Sequence, residues 1–408
     1  MTGTQTSSDE SRPEAFPCFD GLRALAALSV FTYHSARFTR IQYPHFYSDA
    51  VFNWLDRLGF FGIAVFFAIS GFLLYRPYVV AARDGRRGPR LLPFWSRRFA
   101  RVFPAYWVAL AFVVVVFGQY EFRSIGHAFT FATLTQTYRA TYGLRGLGVA
   151  WTLCIEVSFY VALPGIAWVL RRLGGLRGQL IGLAAMAATG IAARSWWLWT
   201  TRAVPHSGDW FEAASFDRWI PGYLDWFALG MLMAVLSAYR VRVNIPAWAA
   251  WTGAMVGVGA VVLLDLDAQL GPGTYAPLDS FLRWLFTGLA GALFVVPGVF
   301  GTGGAIRRLL RTRVLVALGA VSFGIYLWHV PFWIQAPSWS WFPSSVPAQI
   351  TVVFGLTVTA ATISYWLIER PINRTVRRLG QRADGVRDIV RRTDHDSVSW
   401  SPGGHERG

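Results

Sequence analysis

An arginine and a histidine stand eleven positions apart in the largely apolar stretch FDGLRALAALSVFTYH, as Arg23 and His34. Eleven helical steps of about 100° return the second side chain to within roughly 20° of the first and carry it about 16 Å along the axis. The two therefore share a face. Inside a spanning helix an ionisable side chain costs about 2.5–3.5 kcal/mol, so a pair on one face asks for partners or for a task. Imidazole can take and return a proton near neutral pH, and the guanidinium fork matches phosphate. Each residue also has a structural reading: Arg23 snorkelling beside Asp20, which is placed to cap the helix start, and His34 as an interhelical hydrogen bond.

Polar groups recur in other apolar stretches at two depths. Glu156 in WTLCIEVSFYVALP, His329 in SFGIYLWHVP and Asp225 in YLDWFALG fall near the ends of their segments, at the level expected of His34. At the opposite level stand Arg76, the run FWSRRFARVFPAYW with Arg97, Arg98 and Arg101, and YWLIERP with Glu369 and Arg370. Arg98 and Arg101 are three apart and so are neighbours on one helix face. They sit inside the segment and are phosphate-binding candidates, whereas Arg97 and the loop arginines read as topology markers. Asp225, Glu369 and Arg370 could instead neutralise one another or other arginines. Gly62, Ser70 and Gly71 in FGIAVFFAISGFLL read as small residues for close packing. Cys18 and Cys154 make no metal or redox spacing, and no metal is expected.

The elements that must hold these groups follow from composition. Of 408 residues 54% are hydrophobic and 15% charged, against about 25% charged in soluble domains. A spanning helix needs about 20 mostly apolar residues. Ten such segments emerge, near 19–39, 58–80, 98–118, 149–170, 179–200, 220–239, 246–264, 280–300, 314–335 and 347–368. The expected fold is an all-α integral membrane bundle of about ten transmembrane helices.

Lysine is absent, and all 38 basic residues are arginine. Thirteen lie in the connections after even-numbered segments and seven in the longer connections after odd-numbered ones. Arginine marks the cytoplasmic side, so both termini are expected there. The net charge of +16 is then topology and not a nucleic-acid footprint. Residues 1–18 read as a disordered cytoplasmic N-terminus without a cleavable signal, 19–371 as the membrane domain, and 372–408 as a basic cytoplasmic tail. That tail could lie on the anionic leaflet as an interfacial helix or stay solvated.

A basic cytoplasmic layer and a histidine–carboxylate layer deeper in the membrane suit a donor with an anionic head and a reactive arm. Coenzyme A has that form. Its phosphates would rest on Arg23, Arg98 and Arg101, and its pantetheine arm would carry a thioester toward His34. His34 would act as general base on an acceptor hydroxyl. Glu156 would orient the imidazole or serve as a structural bond, His329 would steady the thioester oxygen or bind the acceptor, and Asp225 is a second acceptor candidate.

At these residues the chain resembles the membrane acyltransferase-3 family. The matches are FDGLRALAALSVFTYH, GIAVFFAISGFLL, the R-x-x-R of Arg98 and Arg101 before FPAYW, WTLCIEVSFY, YLDWFALG, SFGIYLWHVP and the closing ERP. They occur in order from about 20 to 371. The resemblance implies a ten-helix enzyme of the cell membrane that moves an acyl group, often acetyl, from cytoplasmic acyl-coenzyme A to a hydroxyl of a sugar, glycolipid, surface glycan or macrolide-like metabolite. It also implies essential roles for Arg23, His34, Arg98 and Arg101. Some members continue into a hydrolase-like domain, and a stand-alone form is expected here. A transporter of a small metabolite or lipid-linked glycan is the competing reading; it calls for discontinuous helices in matching positions of two halves, a symmetry the sequence does not display.

Overall fold

The computed structural model describes residues 16–139, 142, 145–201, 218–266, 276–301 and 303–379. The regular secondary structure of the described residues is all helical, with no strand among them. The helices are α1 (Phe19–Gln42), α2 (Asp49–Arg83), α3 (Leu91–Ala111), α4 (Ile125–Ala132), α5 (Trp151–Leu173), α6 (Gly175–Thr201), α7 (Leu224–Ala238), α8 (Ala247–Leu263), α9 (Pro277–Phe300), α10 (Ala305–Leu310), α11 (Arg313–Ala320), α12 (Ser322–Gln335) and α13 (Val346–Ser364). Hydrocarbon offers no partner for backbone N–H and C=O groups, so helices are what an apolar chain of this kind must form to cross it.

Each expected segment coincides with a helix, but the spans count differently. By length and apolar composition seven helices among the described residues can cross a membrane, or eight with α11 and α12 taken together. α8 has only 17 residues. α1 falls outside the set because Asp20, Arg23, Arg37 and Arg40 dilute its apolar length. α11 and α12 are bent by 69° at Val321, a break that the continuous apolar reading of 314–335 did not foresee. The N-terminal expectation lies almost wholly outside the described residues. At the other end the helix runs past 371 to Leu379, and 380–408 lie outside the described residues.

α2 is the central helix, packed against α1, α5, α7, α8 and α9. Its Phe67 stacks on Phe227 of α7 at 4.7 Å between centroids, and Phe227 stacks in turn on Phe159 of α5 at 3.9 Å. Offset aromatic pairs of this kind add about 0.5–1.5 kcal/mol beyond area burial. α1 lies between α2 and the α10–α12 group. Asp20 sits in the first turn of α1, after Cys18 at the cap position, and so complements the helix dipole without capping it.

Backbones touch where Arg23 enters the bundle. A Cβ on Gly21 would stand 2.1 Å from the Leu310 carbonyl oxygen, and one on Gly319 2.0 Å from that of Asp20. Both neighbours are main chain and cannot swing aside. Gly319→Ala is expected to cost about 1–3 kcal/mol or more by overpacking and to lower the thermal midpoint in detergent. Gly355→Ala, in α13 with nothing within 4 Å of the new Cβ, is expected to leave that midpoint unchanged or slightly raised.

Candidate active site

A cavity opens among α1, α2, α3, α5 and α12. Its polar lining is Arg23, Ser70, Arg98, Arg101, Glu156 and Tyr160, with Thr152, Ser322 and Tyr326 also on its wall. The R-x-x-R spacing puts both α3 guanidiniums on the face turned inward, as neighbours one turn apart must be. Arg23 leans on Asp20 at 3.8 Å with its side chain 18% exposed, so most of its charge is directed into the bundle. Arg98 lies over the Phe94 ring at 5.9 Å, and its buried Nε has no hydrogen-bond partner among the described residues. A buried donor without an acceptor is costly, and an arriving anionic oxygen would satisfy it.

One carboxylate faces these arginines inside the cavity. Glu156 Oε1 accepts hydrogen bonds from Ser70 Oγ at 2.7 Å and from Tyr160 OH at 2.6 Å. Tyr160 is one turn along α5, which is why a single carboxylate oxygen can hold both ends of the wall together. Glu369 is buried within electrostatic reach of Arg101, whereas its sequence neighbour Arg370 turns away onto the Trp366 ring at 3.9 Å. Three guanidiniums still outnumber the carboxylates, and low-dielectric walls focus that positive field on an anion.

His34 meets His329 of α12, with 3.0 Å between His329 Nε2 and His34 Nδ1. His329 is 1% exposed, and its Nδ1 lies 3.0 Å from the Ile325 carbonyl oxygen. A carbonyl only accepts, so His329 Nδ1 carries the proton and its Nε2 the lone pair. His34 Nδ1 must then be the donor, shared between His329 and the Val30 carbonyl oxygen at 3.1 Å. That fixes His34 Nε2 as the unprotonated nitrogen. His34 is partly exposed, and its Nε2 makes no hydrogen bond among the described residues. On the cavity side Tyr326, one turn before His329, donates to the Val149 carbonyl oxygen at 2.9 Å and pairs with Thr152 Oγ1 at 2.7 Å.

These contacts redraw the two layers. Glu156 lines the arginine cavity, and the ring nitrogen nearest His34 belongs to His329. Distance from the start of α5 understates how deep Glu156 lies, because the turn before that helix is already inside the bundle, with Val149 3% and Ala150 0% exposed. Both ring nitrogens of His329 are engaged within the protein, one by the Ile325 carbonyl oxygen and the other by His34. Asp225 is elsewhere: buried among Tyr223 and Trp226, it accepts from Trp284 Nε1 at 2.9 Å. Arg76 reaches Ser237 of α7 and the Phe16 ring, away from the cavity. Sequence reasoning passed over Ser70, taken for a packing residue, and Tyr160, whose signal was its place four residues after an intramembrane glutamate.

A family model described as an acyltransferase domain matches residues 16–368. The O-acetyltransferase OatA of Staphylococcus aureus is 23% identical over 395 residues, covering 89% of this chain and 58% of the relative. The peptidoglycan O-acetyltransferase OatA of Listeria monocytogenes is 25% identical over 374 residues, covering 88% of this chain and 56% of the relative. The chain thus spans under three-fifths of the length of these two relatives. No solved structure matches it.

Proposed function

The chain belongs to this family of acyltransferase domains, and from that premise we propose that it is a multi-pass O-acyltransferase of the cell membrane, moving an acetyl group from acyl-coenzyme A to a glycan hydroxyl. The family supports the acyl transfer, and the relatives' names support acetyl as the group and a glycan such as peptidoglycan as the acceptor. The observation that carries the chemistry is the tautomer imposed on His34 by His329, which leaves Nε2 as a lone pair without a partner among the described residues. Arg23, Arg98 and Arg101 hold the donor phosphates in the cavity, and the thioester arm extends toward Tyr326 and the histidine pair.

The acceptor hydroxyl gives its proton to His34 Nε2 as its oxygen attacks the thioester carbonyl carbon. The C–S bond then breaks, and the departing thiolate of coenzyme A takes the proton from the His34 imidazolium, which restores the neutral ring. His329 acts as a positioning residue, holding the Nδ1 proton in place throughout. Purified protein in vesicles should release free thiol from acetyl-coenzyme A only when a hydroxylated glycan fragment is present. Absence of thiol release with every such fragment, together with solute accumulation in the vesicles, would mean a transporter.

The positioning role gives a separate expectation. His329→Phe should lower kcat by about 10²-fold, leave the KM for acyl-coenzyme A unchanged and alter the pH profile of kcat. His329→Gln, whose amide oxygen can accept from His34 Nδ1, should recover part of the loss. An unchanged pH profile in the Phe variant would reduce His329 to packing.

A further inference from the structure

A second basic pocket lies outside the cavity, where the turn after α2 meets the start of α3. It is lined by Arg86, Arg87, Arg90 and Arg97 together with Pro77, Gly88 and Pro89. The turn is held in shape. The Arg86 amide donates to the Ala81 carbonyl oxygen at 2.8 Å, and Arg171 Nη1 of α5 donates to the Arg86 carbonyl oxygen at 2.5 Å. Gly88 packs on the Tyr78 ring, where a Cβ would stand 3.2 Å away. Asp84 bonds Arg83 and Arg86 beside it. Neither Arg87 nor Arg97 has a carboxylate partner among the described residues.

Tyr78 joins this pocket to the cavity. It packs on Phe94 at 5.7 Å between centroids, the ring over which Arg98 lies, and it is within electrostatic reach of both Arg97 and Arg98. Its hydroxyl is buried with no hydrogen-bond partner among the described residues. Arg97 and Arg98 are consecutive on α3, yet one lines the outer pocket and the other the cavity. Two cationic sites, each fit for a phosphate, therefore stand on either side of one aromatic wall. Markers of topology need charge alone; a concave surface with a pinned backbone, on which Arg87 and Arg97 have no carboxylate partner among the described residues, also suits an anionic ligand.

Resting on the acyl-coenzyme A reading, we infer that the pocket of Arg86, Arg87, Arg90 and Arg97 binds the 3′-phosphate end of the donor nucleotide, while Arg23, Arg98 and Arg101 hold the diphosphate nearer the thioester. An anionic lipid headgroup carries the same phosphate chemistry and is the other source to distinguish.

The full chain is reconstituted in phosphatidylcholine vesicles, and the Kd is measured for acetyl-coenzyme A and for its 3′-dephospho form. The unaltered protein should bind acetyl-coenzyme A about tenfold more tightly. Arg87→Ala/Arg97→Ala should bind the two alike, by weakening only the complete donor. Arg87→Lys/Arg97→Lys preserves the inside-positive charge and should keep part of the discrimination. Discrimination that survives the Ala pair, or equal binding of both donors by the unaltered protein, overturns the assignment. An effect of the Ala pair that emerges only when phosphatidylglycerol is added assigns the pocket to lipid headgroups and also overturns it. Binding of neither donor by the unaltered protein is a different result, since it removes the acyl-coenzyme A reading on which the pocket depends.

Discussion

His34→Ala should reduce acyl transfer by at least about 10³-fold in kcat while the Kd for acyl-coenzyme A moves by less than about twofold. The split follows from position. The donor phosphates are assigned to Arg23, Arg98 and Arg101, whereas His34 is not on the cavity wall and meets His329 on the far side of Tyr326. Removing the imidazole takes away the unprotonated nitrogen that is left without a partner among the described residues, because His329 Nε2 is already engaged by His34 Nδ1; His127 stands apart in α4, against Tyr120 and Tyr142. Single-turnover thiol release beside isothermal titration with acetyl-coenzyme A separates the two quantities. A matching loss of donor affinity would show that His34 works by holding helices together and would remove it from the chemistry.

Arg98→Ala and Arg101→Ala should produce the opposite pattern. Each removes charge-assisted hydrogen bonds worth about 1.5–3 kcal/mol, which corresponds to a Kd for acyl-coenzyme A raised roughly 10- to 150-fold. The effect on kcat at saturating donor should be small. Arg98 is the more informative position, because its Nε is buried without a partner and so gains most from an arriving oxygen. Arg98→Lys keeps the charge but loses the fork, and it should fall between the two. Should saturating donor fail to restore the rate in either Ala variant, these arginines would be acting on the transition state and the division of labour would be wrong.

Much of this layout was legible in residue type and spacing. Helical phase alone placed Arg23 and His34 on one face, and the three-residue step of Arg98 and Arg101 put both on one wall. Partnership was harder to read. The His34–His329 contact joins residues 295 apart in the chain, and nothing local says that two histidines near segment ends share a proton. Distance to a helix end is a poor guide to the depth of Glu156, because the turn before α5 is itself buried. The bend at Val321 escaped notice for a related reason: apolar composition is continuous through 314–335, and composition reports length without direction. Ser70 shows the limit at a single residue, since a small polar side chain among apolar ones reads as packing until a carboxylate is found 2.7 Å away.

The cross-link of Tyr326, Thr152 and the Val149 carbonyl oxygen ties α12 to α5 and to the turn before it, at the boundary between the cavity and the histidine pair. Under the proposed function the acyl group would pass this boundary while the membrane stays sealed to ions. Hydroxyls engaged with one another and with a carbonyl oxygen are not open to a proton-carrying chain of water. On this account a cell carrying the enzyme in abundance should keep its proton-motive force, and Tyr326→Ala should make it leaky before it makes it inactive.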